Sequence, residues 1–192
     1  MDISLRPLTP EDNPVIAELI RTVFREFKID RPGTVYTDPT TDHLYELFRL
    51  PRSCYWIAEV QPEPADTTPD NSSQPEPACR SWGHALAGRR SRRVLGGCGI
   101  YPTPGLPDDC AELVKLYVKG EYRGQGIGMK LMQQCFESAV EMGYKQLYLE
   151  TLPELGKAVS MYERAGFRYI PARLGASGHY SCHIWMLKNL VG

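Results

Sequence analysis

The stretch Glu112-Leu-Val-Lys-Leu-Tyr-Val118, followed by Lys119-Gly-Glu-Tyr-Arg-Gly-Gln-Gly-Ile-Gly128, decides the fold of this chain of 192 residues. Its β-branched and aromatic residues predict a strand that ends at Val118, and the glycines that follow predict a turn. From Met129 onward, apolar residues recur at helical spacing. The segment therefore predicts a strand, a glycine-rich loop and a helix.

The glycine-rich loop has the properties of an anion site. Glycines allow a ligand to approach the backbone closely, and the first N–H groups of a helix lack partners and lie at the positive end of its dipole. Arg123 adds a permanent cation whose planar fork suits phosphate. The loop lacks the Gly-Lys-Ser/Thr ending of a P-loop and the G-x-G-x-x-G spacing of a dinucleotide site. It therefore predicts a phosphate or pyrophosphate cradle of another kind.

A second pattern lies further along the chain, where Ala158-x-x-x-Tyr162-Glu-Arg-Ala-Gly-Phe167 predicts a helix ending at Gly-Phe. Together with the R-x-x-G-x-G of Arg123, Gly126 and Gly128, it resembles the GNAT superfamily of acetyl-CoA-dependent N-acetyltransferases. The two motifs stand in the family's order, and the resemblance extends from Ile3 to Leu190, apart from one insertion.

The resemblance implies an α/β fold with a central mixed sheet of about seven strands, helices on both faces, and acetyl-CoA as cosubstrate. In the family, two parallel strands splay apart and the pantetheine arm enters between them. The implied cofactor-binding residues are Leu116, Tyr117, Val118, Arg123, Gly124, Gln125, Gly126, Ile127 and Gly128. One position departs from the family, because Gly156 stands where an asparagine often contacts the pantetheine arm. That contact is either missing or supplied by another residue such as Lys157.

The resemblance also implies the catalytic residues. Tyr162 matches the family's general acid, which protonates the departing sulfur. Attack on a thioester needs a neutral amine, so a base or a water chain must remove a proton from an alkylammonium near neutral pH. Glu112 is the first candidate for that base and Glu150 the second. His179 and Tyr180, in the last long connection, are candidate substrate contacts.

Length and composition are those of one domain. Lys and Arg number 22 against 23 Asp and Glu, so the net charge of −1 gives no global attraction to nucleic acid or to an anionic membrane. No apolar run approaches the roughly 20 residues of a membrane span, and the N-terminus lacks an apolar signal core, so we expect a cytoplasmic protein. The cysteines lack zinc-site spacing and predict reduced thiols, four or five of them in the core.

Hydrophobic periodicity places the elements between the motifs. It predicts a helix that starts after Thr9, a shorter helix from Pro39 to Leu50, and a helix from Glu154 to Ala165. The helix after the glycine loop is predicted to bury Met129, Met132, Cys135, Phe136, Ala139 and Val140. Strands are predicted at 3–6, 54–60, 93–101, 110–118, 146–151, 168–171 and 182–187. Residues 61–92, rich in Pro, Ser, Asp and Glu, are predicted to be a disordered insertion.

The leading functional prediction is transfer of an acetyl group to a primary amine of a small molecule, amino acid or peptide in a ternary complex. The alternatives are a protein lysine or N-terminal acetyltransferase and a CoA-binding regulatory module without turnover. No metal, nucleic acid or membrane partner is expected, and a homodimer is expected from the habit of the family.

Overall fold

A computed structural model describes residues 2–60 and 93–190 of the chain. The predicted insertion at 61–92 lies outside the described residues. Seven strands form one mixed sheet, as predicted. From edge to edge they are β1 (Ile3–Pro7), β2 (Cys54–Val60), β3 (Arg93–Tyr101), β4 (Cys110–Val118), β5 (Gln146–Thr151), β7 (Ile184–Asn189) and β6 (Arg168–Tyr169).

Helices cover both faces of this sheet. They are α1 (Asn13–Glu26), α2 (Leu44–Leu47), α3 (Ile127–Glu141) and α4 (Gly156–Arg164). The buried apolar side chains of α3 pack on one face, and those of α1 pack on the other in a second core. The five cysteines in the described part of the chain are free thiols, and four of them are buried.

Two helix predictions need correction. The helix predicted from Pro39 to Leu50 is a 3-10 turn over Pro39–Asp42 followed by the four residues of α2. The backbone leaves helical geometry at His43, and the Asn13 side chain accepts the Tyr45 N–H at 2.8 Å. A side chain from α1 thus satisfies an N–H at the start of this short helix.

The buried face of α3 is also rotated from the predicted one. Met129 and Val140 are exposed by 37% and 48%, whereas Leu131 and Ser138 are buried. Ser138 tolerates burial because its hydroxyl accepts a hydrogen bond from the Trp56 indole at 3.0 Å. The Met132, Cys135 and Ala139 predictions are confirmed, and Phe136 is half-buried.

The register between β3 and β4 shifts by one residue, in a bulge that reorients the end of β4. Gly99 pairs with Val114 and Gly97 pairs with Tyr117, so β4 has one extra residue, and Lys115 has a positive φ of 52°. Leu113 therefore packs under α3, whereas Tyr117 packs against the α1 core.

Candidate active site

β4 and β5 form the parallel pair at the centre of the sheet, and they separate soon after they meet. Only Cys110, Ala111 and Glu112 pair with β5, so the last six residues of β4 have no partner on that side among the described residues. The gap opens into a cleft of about 1610 Å³. Its lining includes Leu116, Tyr117 and Val118, which the family resemblance implied for cofactor binding, together with parts of α1, α4 and the glycine loop.

The glycine loop forms one end of this cleft. Gly124 and Gly126 have φ angles of 77° and 80°, a region that L-residues rarely adopt, and Gly126 caps the N-terminus of α3. A Cβ at either position would meet no atom within 4 Å. Ile127 and Gly128 line the cleft beside them, whereas the exposed Gln125 side chain donates to the Glu121 carbonyl at 3.4 Å. The first N–H groups of α3 thus face open space beside the cleft.

Replacing Gly126 by Ala is expected to weaken CoA binding about tenfold, measured by calorimetry. The new methyl group would occupy space that a phosphate needs to reach the backbone, and the left-handed φ adds about 1–2 kcal/mol of strain. Gly143→Ala is the matched control, because Gly143 has a φ of 83° and open space around it but does not line the cleft. Equal CoA affinity in the two variants would contradict the assignment of the loop.

Arg123 lies beside the loop, but its charge is not free in this structure. Its guanidinium makes a two-pronged ion pair with Glu26 of α1, at 2.6 and 2.8 Å, and its Nε donates to the Val118 carbonyl at 2.9 Å. The sequence predicted a cation directed at phosphate. In the structure this cation ties α1 to the end of β4, and Arg123 also lines the cleft beside the loop.

Glu112 lies where β4 and β5 separate. Its side chain is 3% exposed and accepts a hydrogen bond from the Thr103 hydroxyl. Burial raises the pKa of Glu112 to about 7, and the nearby charge of Glu150 also raises it, against the lowering effect of the Thr103 hydrogen bond. A carboxyl group with this pKa can take up or release a proton near neutral pH, as a general base must.

Glu150 lies on β5, on the same side of the sheet. Its Oε1 accepts the Tyr148 hydroxyl at 2.9 Å and lies 3.4 Å from Arg173 Nε. The Tyr148 hydrogen bond and the Arg173 ion pair hold this carboxylate in place at the side of the cleft. Of the two candidate bases, Glu112, whose pKa is raised to about 7, is the better placed.

A buried ion pair that the sequence did not predict borders the same cleft. The bulge directs Lys115 toward Asp38, with Nζ 2.7 Å from Oδ2, and Asp38 also lies 3.2 Å from His179 Nε2. Burial raises the pKa of Asp38, but the His179 hydrogen bond and the Lys115 charge outweigh it and hold that pKa well below its usual range. Burial lowers the pKa of Lys115. A lysine inside the otherwise apolar run of residues 113–118 was the available sequence signal.

Replacing Lys115 by Met is expected to lower the free energy of unfolding by about 2–4 kcal/mol, because it leaves Asp38 without its cation. Stability from the lowered pKa of Asp38 is present above about pH 4 and is lost as the pH falls further, so the variant should lose less stability in acid. Chemical denaturation at several pH values measures both effects. Lys145→Met, which breaks an exposed pair with Asp109 at 3.7 Å, is the control and should cost under about 1 kcal/mol.

Tyr162 reaches the cleft from α4. Its ring is 7% exposed and packs edge-on against Phe167, at 5.9 Å between centroids, in the core under α3. Tyr162 and Glu112 thus approach the cleft from opposite faces of the sheet, which the gap between β4 and β5 connects. Burial raises the pKa of Tyr162 above its usual value, so the phenol stays neutral and can donate a hydrogen bond.

The remaining candidate contacts divide into two groups. His179 lines the cleft, and so do Gly156 and Lys157 at the start of α4. Tyr180 does not, because its side chain lies against Gly33 and the residue is 65% exposed. Sequence reasoning missed Asp38, which lies in a turn before a proline and comes to the cleft only through tertiary folding.

Comparison with known proteins identifies the fold. The profile of the acetyltransferase (GNAT) family matches residues 20–167. The chain belongs to the GNAT acetyltransferase family. It is 35% identical over 187 residues to the Uncharacterized N-acetyltransferase YjgM of Escherichia coli, covering 97% of this chain and 94% of that protein. The family makes this protein an acyltransferase that uses acetyl-CoA.

Solved structures of GNAT proteins share this architecture. A GNAT-family acetyltransferase from Staphylococcus aureus superimposes with a TM-score of 0.73 at 18% identity, over 99% of this chain and 100% of that one. The PaiA N-acetyltransferase of Thermoplasma acidophilum, solved in complex with coenzyme A, superimposes with a TM-score of 0.61 at 17% identity, over 98% and 99% of the two chains. Within residues 2–60 and 93–190, no helix of the acetyltransferase is long and apolar enough to cross a membrane.

Proposed function

We propose that this acetyltransferase transfers the acetyl group of acetyl-CoA to a primary amine of a small molecule, amino acid or peptide by direct attack in a ternary complex. The observation that carries the proposal is the gap between β4 and β5, which brings Glu112 and Tyr162 to one cleft with the glycine loop at its end. In the proposed reaction the amine attacks acetyl-CoA directly, so no acyl-enzyme forms and neither of these two side chains has to be a thiol.

In the proposed arrangement, the phosphates of CoA bind the N–H groups of the loop formed by Gly124 to Gly128, and the pantetheine arm follows the unpaired edge of β4. Backbone groups of Leu116, Tyr117 and Val118 then pair with the amides of the arm. An N–H at Leu116 or Tyr117 faces the thioester oxygen, where a positioned donor is worth about 3 kcal/mol of barrier. The bulge at Lys115 supports this placement, because it turns the backbone of β4 just before these residues.

Proton transfers complete the proposed mechanism. Glu112 takes the proton that the amine loses, and the nitrogen attacks the acetyl carbon. As the C–S bond breaks, the Tyr162 hydroxyl hydrogen-bonds to the departing sulfur and supplies its proton. Because burial weakens this phenol as an acid, we expect the hydrogen bond to form first and the proton to follow as charge develops on sulfur.

The test is release of free thiol from acetyl-CoA in the presence of a panel of amines, with CoA binding measured in parallel by calorimetry. Turnover with small amines, amino acids or peptides supports the proposal, and turnover confined to proteins supports the protein acetyltransferase alternative. CoA binding without any turnover would support a regulatory module. We also propose a homodimer, and a light-scattering mass near that of one chain would reject it.

A further inference from the structure

Glu150 has one carboxylate oxygen that is buried and has no hydrogen-bond partner. Its side chain is 1% exposed, its residue lines the cleft, and its Oε2 receives no donor, whereas Oε1 has both Tyr148 and Arg173 beside it. A buried charged oxygen without a donor costs free energy, and buried polar atoms in native proteins are rarely left in that state. A bound molecule with a donor group would satisfy it.

The position of Glu150 relative to Glu112 sets the size of such a molecule. Glu112 is in register with Tyr148 across the parallel pair, and Glu150 follows two residues later on the same face. Diagonal neighbours on paired antiparallel strands are roughly 7–8 Å apart, and a similar or slightly larger spacing is expected here, where β4 begins to separate from β5. A molecule whose amine reacts beside Glu112 can therefore reach Glu150 through a short chain of about three to five carbon atoms.

The charges around the two glutamates favour a cation over an anion at that position. Lys115 is committed to Asp38, and the Arg173 guanidinium donates to the His179 carbonyl at 2.9 Å while it pairs with Glu150. Arg173 Nε makes no hydrogen bond of its own, but in the described part of the chain the three acids Glu112, Glu150 and Asp38 outnumber these two cations. A carboxylate on the acceptor would therefore add to an excess of negative charge. An amino acid acceptor with its carboxylate at this position would meet the Glu150 charge.

From this geometry we infer that the acceptor is a short aliphatic diamine, whose reacting amine lies at Glu112 and whose second, protonated amine is bound by Glu150. The inference depends on the proposed function. During transfer the reacting nitrogen forms the bond to the acetyl carbon, the C–S bond breaks, one proton goes to Glu112 and the thiol leaves with a proton from Tyr162. The second amine keeps its proton throughout and acts only in binding.

The experiment compares acceptors that differ only in the group placed at Glu150. Thiol release is measured with 1,4-diaminobutane, with pentylamine, which replaces one ammonium group by a methyl group, and with 5-aminopentanoate, which replaces it by a carboxylate. A charge-assisted hydrogen bond to a buried carboxylate predicts a kcat/KM for the diamine that is about 10- to 100-fold above that of pentylamine. The aminopentanoate should be the slowest of the three.

Variants of Glu150 test whether this residue is the source of the preference. In Glu150→Gln, the ratio of diamine to monoamine kcat/KM should fall to near one. In Glu150→Asp, the shorter side chain should shift the preferred diamine toward one more methylene group. Glu141→Gln, which removes an exposed carboxylate from the last residue of α3, is the matched charge control and should keep the wild-type ratio.

The outcomes separate this inference from the proposed function. Turnover of pentylamine or 5-aminopentanoate as fast as the diamine by the wild type would overturn the inference and leave the proposed function intact. An unchanged diamine preference in folded Glu150→Gln would overturn the role of Glu150. Absence of turnover with every amine would overturn the proposed function, and the inference with it.

Discussion

Replacement of Tyr162 by Phe is expected to lower kcat about 10²- to 10³-fold, because the departing sulfur loses its hydrogen-bond and proton donor. The ring packing against Phe167 would remain, so CoA affinity and the melting temperature should change little. Steady-state thiol release with calorimetric CoA binding measures the two effects separately.

The matched control for Tyr162 is Tyr144→Phe. Tyr144 is also buried, and its hydroxyl donates to the Arg52 carbonyl at 2.9 Å, but the residue does not line the cleft. This variant should lose about 1 kcal/mol of stability and keep its kcat. A Tyr162→Phe enzyme that turns over as fast as Tyr144→Phe would show that another group protonates the thiol.

Replacement of Glu112 by Gln is expected to lower kcat/KM about 10²-fold at pH 8 and to remove a pH dependence. In the wild type, kcat/KM should rise with pH through about 7, the pKa to which burial raises Glu112, because only the ionised carboxylate accepts a proton. In the variant this rising limb should be absent. A wild-type limb that persists in Glu112→Gln would assign the base to another group.

The same substitution should make the folded protein more stable above neutral pH. The pKa of Glu112 rises on folding from 4.5 to about 7, so the wild type loses stability as the pH rises between these values. The loss is roughly 3 kcal/mol when complete. Gln resembles the neutral acid, so chemical denaturation should give equal stabilities near pH 4 and a more stable variant at pH 8.

Local patterns predicted most of the architecture, because strand periodicity and glycine turns depend on neighbours in the sequence. The bounds of β2, β3, β4 and β5 agree with the predicted ones. The short α2 was not predictable, because Asn13, from a different helix, satisfies the N–H of Tyr45. The exposure of Met129 was not predictable either. Periodicity places it on the buried face of α3, but it lies at the end of the helix that borders the cleft.

The residues of the candidate site that belong to the family motifs were predictable from the sequence, and their partners outside the motifs were not. The structure brings Glu112, Tyr162 and the glycine loop together, as the resemblance implied. Two ion pairs at the site join distant parts of the chain: Glu26 neutralises Arg123, and Asp38 pairs with Lys115. Ion pairs between residues far apart in sequence leave no local pattern.

The brief contact between β4 and β5 also bears on how the molecule holds together. Three residue pairs join a half-sheet of four antiparallel strands to a half-sheet of three, so few backbone contacts cross the seam between them. A cofactor lodged in that seam would bridge the two halves. We therefore expect the empty protein to open along this seam on a slow timescale, and hydrogen exchange in β4 and β5 to slow when CoA is added. Bound acetyl-CoA would then stabilise the contact between the two half-sheets as well as donate the acetyl group.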